Sequence, residues 1–240
     1  MERFVDQDLT GAEFRECVMT GARLIGVVLQ DAEIDGLVTN LVVNGVEVSG
    51  YVEAELDRRH PVRVLIRSDD PAELRAGWSM LRSDWATTYA RLGAAPAGTE
   101  HQRVDDEWSA VETLRHLVFV HDSWFRRCCL GLTEPFTPIG LATDFVPDQE
   151  EQGLDRSASP TLDDVRAVRD LQAAELEAWL ATVTPDLLRA RAPVPDGPGW
   201  PPYARGRTVA QCLHTVLDEE WAHHGFCVRD LDRLEREGAD

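Results

Sequence analysis

Residues 212–231 read CLHTVLDEEWAHHGFCVRDL. The stretch holds two glutamates, three histidines and two cysteines, and its apolar residues recur at helical spacing. Glu219 and His223 are four residues apart, and so are Glu220 and His224. Side chains at i and i+4 share a helix face, so either pair offers a carboxylate and an imidazole to one metal ion. A charged, solvated face is the plainer reading. It loses ground because the same helix must bury the stripe Val209, Leu213, Val216 or Leu217, Cys227 and Leu231. Glu220 and His224 fall nearest the centre of that stripe, whereas Glu219 and His223 lie toward one edge. Periodicity alone therefore favours the pair Glu220/His224.

Working outward, Thr208 caps this helix, expected over residues 209–236. Three more helices of similar length precede it. The start signal Asp69-Asp70-Pro71 opens a helix over 71–92, with Leu74, Trp78, Leu81, Trp85 and Tyr89 on one face. A second runs over 109–130 and ends at Gly131. A third runs over 162–183 after Ser159-Pro160-Thr161, with Leu171, Leu176, Trp179 and Leu180 on its apolar side. Residues 132–160 form a long crossover, and a second loop runs over 185–207. Four such helices with one long crossover describe a four-helix bundle, whose metal sites are built in the core from facing helices.

The last helix alone supplies two good ligands, so a third should come from a neighbour. His116 sits among Val111, Leu114, Leu117, Val118, Phe119 and Val120. An unpaired imidazole in such surroundings costs free energy and needs a partner. A lone core histidine bonded to a carbonyl is the bland alternative. The long helix carrying Glu/His pairs shifts the balance toward a metal ligand.

At this point the bundle resembles the DinB superfamily. The stretch WSAVETLRH, Trp108 to His116, matches that family's Trp-Ser lead-in to a helix-two histidine. His223-His224-Gly225 matches its ending of a ligand histidine followed two residues later by glycine. The resemblance implies His116, Glu219 and His223 as ligands of a divalent metal, zinc or nickel. Glu220, His224 and Cys227 stand as alternatives, either as ligands or as hydrogen-bond partners of ligands. Glu219 departs from the commonest family member, which has histidine there; the mycothiol-dependent isomerase branch also uses glutamate. The trailing glutamine common in the family is replaced by Phe226. The resemblance further implies a thiol-dependent transferase or isomerase acting on small electrophiles, with mycothiol as co-substrate. Three protein ligands leave open coordination positions, as catalytic sites do. No separate general base stands out, so a metal-bound water or thiol is expected to do that work. His121, five residues past His116, is expected to face solvent or a hydrogen-bond partner, and His214 to be exposed.

The first forty residues repeat every five: Phe4, Leu9, Phe14, Met19, Leu24, Leu29, Ile34, with Ala12, Cys17, Ala22, Val27 and Ala32 two positions ahead of most of them. A period of five is neither the 3.6 of a helix nor the 2 of a strand. It resembles the pentapeptide repeat, which implies a short right-handed β-helix over residues 2–38. Asn44-Gly45 between apolar residues signals a hairpin. Residues 53–59 read as a helical turn broken at His60-Pro61. The expected organisation is mainly α: a β-helix and hairpin over 1–60, then a DinB-like four-helix bundle over 68–240.

The net charge of −19 argues against binding a phosphate backbone. All 24 basic residues are arginine, which points to a GC-rich genome and, with the resemblance, to mycothiol. No apolar run approaches a membrane span and the N-terminus lacks a signal pattern, so a cytoplasmic protein without nucleic-acid or membrane partners is expected. Five cysteines without a CxxC pair fit reduced thiols. The short repeat needs a covering surface, and a second subunit in a homodimer is one candidate. Two non-catalytic readings stand beside the enzyme: a metal-binding or protein-interaction module, and an acidic repeat that mimics DNA.

Overall fold

The computed structural model describes residues 3–15, 17–197 and 199–238. Met1, Glu2 and Glu16 of the repeat, Pro198 of the second loop, and Ala239 and Asp240 lie outside the described residues. The chain divides into two compact units, Met1–Ser49 and Gly50–Asp240.

In the first unit the five-residue rhythm is written into the backbone. Asp6, Gly11, Gly21, Gly26, Asp31 and Gly36 all take positive φ, one every five residues wherever the backbone is described. Gly and Asp are the residues that tolerate that region at least cost. Turns close beside two of them, with Ala12 N–H on the Leu9 carbonyl at 3.0 Å and Ala22 N–H on the Met19 carbonyl at 2.9 Å. The expected β-helix is nevertheless not shown. The described residues form no strand before Val42, and Phe4, Leu9, Phe14, Met19, Leu24, Leu29 and Ile34 are all exposed. Fewer than two coils leave each apolar rung with nothing stacked on it, so the nearest-neighbour term that stabilises repeat arrays is missing. The hairpin is present: β1 (Val42–Val43) pairs antiparallel with β2 (Val46–Glu47), Val43 opposite Val46. Asn44 and Gly45 both take positive φ, as a two-residue hairpin turn requires.

The second unit is helical. It begins with α1 (Ser49–Arg59), longer than the single turn expected, and α2 (Val62–Ile66), which the sequence did not announce. His60-Pro61 separates them. The four long helices follow: α3 (Pro71–Ala94), α4 (Ala110–Val120), α5 (Leu162–Leu180) and, after the short α6 (Pro185–Arg189), α7 (Val209–Glu237). α3 packs on α7, α7 on α4, α4 on α5 and α5 on α3, closing a four-membered ring. Buried Leu74, Leu81, Phe125, Leu176, Leu213 and Leu217 fill it. Each contributes about 1.5–3 kcal/mol by leaving water.

The helix starts are set by side chains. Ser109 and Glu112 form a reciprocal capping box on α4, as do Thr161 and Asp164 on α5 and Thr208 and Gln211 on α7. Each such cap is worth about 1 kcal/mol. Two expectations are corrected. Leu171 does not face the core; it is exposed, because α5 buries Val165, Ala173, Leu176 and Leu180 instead. The second helix is not uniformly α: it continues from Val120 as π-helical turns over His121–Cys129, with Leu130 N–H on the Phe125 carbonyl at 3.0 Å. The wider i→i+5 turn shifts side-chain positions relative to an α-helix.

Candidate metal centre

α4 and α7 run antiparallel: His116 lies beside Glu219 and His223, and Cys129 lies beside Val209. The capping box at Ser109 fixes where α4 begins, and His116 follows two turns later. On α7 the four-residue spacing stacks His223 over Glu219. One ligand atom from each of His116, Glu219 and His223 lies within 4.8 Å of the others. Glu219 Oε2 is 3.8 Å from His116 Nε2 and 3.2 Å from His223 Nδ1.

The crossover orients His116. Its Nδ1 is 3.0 Å from the Leu141 carbonyl oxygen, an acceptor only, so Nδ1 carries the proton and donates. Its Nε2 faces Glu219 and is the atom that would ligate a metal. The same loop is stitched down twice more: Leu141 N–H donates to the Arg115 carbonyl at 3.0 Å, and Arg115 Nε–H donates to the Ile139 carbonyl at 2.9 Å. His223 Nδ1 lies 3.1 Å from the Glu219 carbonyl oxygen, which again favours a proton on Nδ1. Burial pushes the Glu219 carboxyl up, but hydrogen bonds from His116 and His223 outweigh it and hold the group at about 2. Glu219 is therefore a carboxylate at neutral pH. Trp108 packs 4.7 Å from the His116 ring, Phe119 6.1 Å from it, and Phe226 5.6 Å from the His223 ring.

The alternatives are held elsewhere. Glu220 is buried and paired with buried Arg169 of α5. His224 turns to α3, with Nε2 2.9 Å from Thr88 Oγ1 and its ring 4.9 Å from Trp85; burial lowers its pKa. Cys227 lies in the core with Trp85, Tyr89, Leu114 and Leu117, and burial pushes its thiol up to about 12. The stripe argument chose Glu220 because it marks the most buried line on α7, and the structure does place Glu220 there. A ligand carboxylate needs partial access instead: the Glu219 side chain is 35% exposed, at the edge of the stripe.

Other expectations shift. His214 is not free in solvent; its Nε2 lies 2.9 Å from the Ser68 carbonyl oxygen. His121 takes its hydrogen-bond option, buried with Nε2 3.2 Å from Glu175 Oε2. Sequence reasoning missed the network around it. Arg126 bridges Glu175 at 2.7 Å and Asp122 at 3.0 Å, and Asp122 also accepts from Gln172 Nε2 at 2.9 Å and Thr137 N–H at 2.6 Å. It missed the Leu141 carbonyl too, because a backbone acceptor in a loop leaves no residue-type signal.

The donor set suits a divalent metal. Two imidazoles and one carboxylate form a ligand set used by catalytic zinc and leave a position open. The same nitrogens and oxygen accept nickel or other borderline ions. The fold and site together define a mainly helical protein with a candidate two-histidine, one-glutamate metal centre on facing helices. Residues 80–227, more than half of the chain, match the sequence profile of the DinB superfamily, and the protein belongs to that superfamily. No curated protein and no solved structure matches the chain. Among the described residues no helix is long and apolar enough to cross a membrane.

Proposed function

We propose that this DinB-superfamily protein is a divalent-metal-dependent enzyme that joins a low-molecular-weight thiol to small electrophiles, or isomerises them with its help. Mycothiol is the proposed thiol, and the cytoplasm the proposed compartment. The observation that carries the reading is the convergence of His116, Glu219 and His223, with an ionised and partly accessible carboxylate between two oriented imidazoles. These residues would hold zinc or nickel. When bound, the metal would supply Lewis acidity, lowering the pKa of a coordinated water or thiol. The chain's own contribution is positional. The Leu141 carbonyl holds the proton on His116 Nδ1, and Trp108, Phe119 and Phe226 flank the imidazoles and limit water.

Two measurements test this. Metal analysis of the purified protein, with thermal shifts on adding zinc, nickel or manganese, should show one ion per chain. Turnover of mycothiol with electrophilic substrates should follow metal content. An intact fold that takes up no metal refutes the reading; metal uptake with no thiol turnover favours a binding protein.

A second reading concerns the N-terminal unit. The positive φ every five residues and the exposed rungs Phe4 to Ile34 support a pentapeptide-repeat segment that serves as an interaction surface, with a second copy of the chain as the proposed partner. Sedimentation of the full chain and of a Leu24→Glu, Leu29→Glu variant tests it; two monomers would refute it.

A further inference from the structure

Arg207 stands just before α7, and its backbone is tied down on both sides. Its N–H donates to the Ala204 carbonyl at 3.1 Å, and its own carbonyl accepts from Ala192 N–H at 2.9 Å. The guanidinium carbon lies 5.1 Å from the centre of the Trp124 ring and 5.8 Å from that of Tyr203. Those two rings are 5.7 Å apart. Cation–π contact with two rings fixes a guanidinium in one plane while its N–H edges stay available. Among the described residues the Arg207 guanidinium makes no hydrogen bond and no ion pair, in a chain with 43 acidic residues.

The same seam joins this arginine to the triad. Trp124, on the π-helical continuation of α4, follows His116 by eight residues, and Arg207, two residues before α7, precedes Glu219 by twelve. At the α-helical rise of 1.5 Å per residue, about 15 Å of α7 separates Val209 from Glu219, and the partly π-helical stretch from His116 to Trp124 is at most about 12 Å. Arginine has a long reach and the Glu219 side chain leans toward the helix N-terminus, so on the order of 10 Å separates the functional ends. Burial raises the Tyr203 pKa, and the charges of Arg207 and Glu219 both act on it, in opposite senses, so both lie within electrostatic reach of the phenol.

We propose that Arg207, held between Trp124 and Tyr203, anchors a carboxylate of the electrophilic substrate. This rests on the metal-dependent reading above and narrows its ligand class to elongated molecules. The reacting end lies at His116, Glu219 and His223, and a carboxylate lies about 10 Å away. A guanidinium fork matches a planar carboxylate with two parallel hydrogen bonds, which a lysine could not reproduce.

The test is calorimetric titration of zinc-loaded full-length protein with mercaptooctanoic acid, its methyl ester and the shorter mercaptopropanoic acid. The wild type should bind the long acid about tenfold or more tightly than either comparator, as a charge-assisted pair implies. Arg207→Gln should bring the long acid to the affinity of its ester, with zinc content unchanged. Arg207→Lys, which keeps the charge and guards against loss of fold, should fall between. Equal binding of acid and ester by zinc-loaded wild type overturns the anchor and leaves the metal reading intact. Octanoate against octanol, followed by tryptophan fluorescence on metal-free protein, separates the opposite case. If zinc is not taken up but octanoate still binds in an Arg207-dependent way, the metal reading fails and the anchor stands. If octanoate does not bind there either, both fail.

Discussion

Adjacent residues Glu219 and Glu220 should behave in opposite ways when each is changed to glutamine. Glu220 and Arg169 are 1% and 3% exposed, so Glu220→Gln leaves a guanidinium buried without its counter-charge. Removing one partner of a buried pair costs about 3–5 kcal/mol. For a domain of this size about 2–4 °C of melting temperature follow each kcal/mol, so the variant should melt about 6–20 °C lower. Its metal stoichiometry should be unchanged. Glu219→Gln removes a side chain that is 35% exposed, and its cost to the metal-free fold should stay within about 1 kcal/mol. Its metal affinity should fall by more than the roughly 10–100-fold lost when only a ligand's hydrogen-bond partner is removed. Circular-dichroism melts in chelator report the fold without metal, and zinc titration of the chelator-stripped protein reports the site. If Glu220→Gln abolishes zinc binding while Glu219→Gln keeps it, the assignment on α7 is wrong. An unchanged melting temperature for Glu220→Gln would refute the buried-pair reasoning separately.

Asp122 gives a pH prediction. Burial raises its carboxyl from 3.8 to about 6, so the folded state binds the proton more tightly than the unfolded state. Its contribution is therefore present at low pH and is lost as pH rises through 4 to 6, a change of up to about 3 kcal/mol. Glu175 works in the other direction: hydrogen bonding from His121 holds it at about 2, so its smaller, solvent-screened contribution is lost only as pH falls below about 4.5. In urea unfolding between pH 4 and 6, the stability of the wild type relative to Asp122→Asn should fall as pH rises; an identical pH dependence of the two would count against it. Gly77→Ala should destabilise by about 1–3 kcal/mol through overpacking. A Cβ there would lie 2.8 Å from Ile66 Cγ2 and 3.1 Å from Ile66 N, where α3 meets α2; an unchanged melting curve would show that α2 gives way freely. Cys227→Ala should keep full metal uptake and lose about 1 kcal/mol of stability, because its thiol packs in the core away from the triad. Loss of the metal would put Cys227 back among the ligands.

The long helices were legible because several local signals agreed at each one. Asp70-Pro71, Thr161 and Thr208 mark helix starts in residue type alone, and the structure begins α3, α5 and α7 at those caps. The short helices were not legible. Val62–Ile66 is five residues, too brief to show a period, and its apolar residues read equally well as a strand. The π-helical turns over His121–Cys129 were hidden for a related reason, since a change from i→i+4 to i→i+5 leaves the composition untouched. At the N-terminus the five-residue period was visible and is repeated in the backbone φ values, yet strand pairing between successive coils does not follow from a period.

The site separates two kinds of information that a helix carries. The apolar stripe of α7 reports burial, and burial selects Glu220, which needs Arg169 of α5 to be tolerated there. Nothing in the sequence near Glu220 names Arg169, 51 residues away, so spacing alone could not tell a core ion pair from a ligand. Chemistry at a metal requires ligands that are oriented but not sealed. Glu219, one residue off the stripe, meets that condition beside His116 of a second helix, where the Leu141 carbonyl fixes the imidazole from behind. The motif Trp108-Ser109 to His116 pointed to the partner helix, and the ending His223-His224-Gly225 to Glu219 and His223, which the structure brings beside His116. Hydrophobic periodicity could do neither, because it averages over the one-residue offset on which the assignment depends.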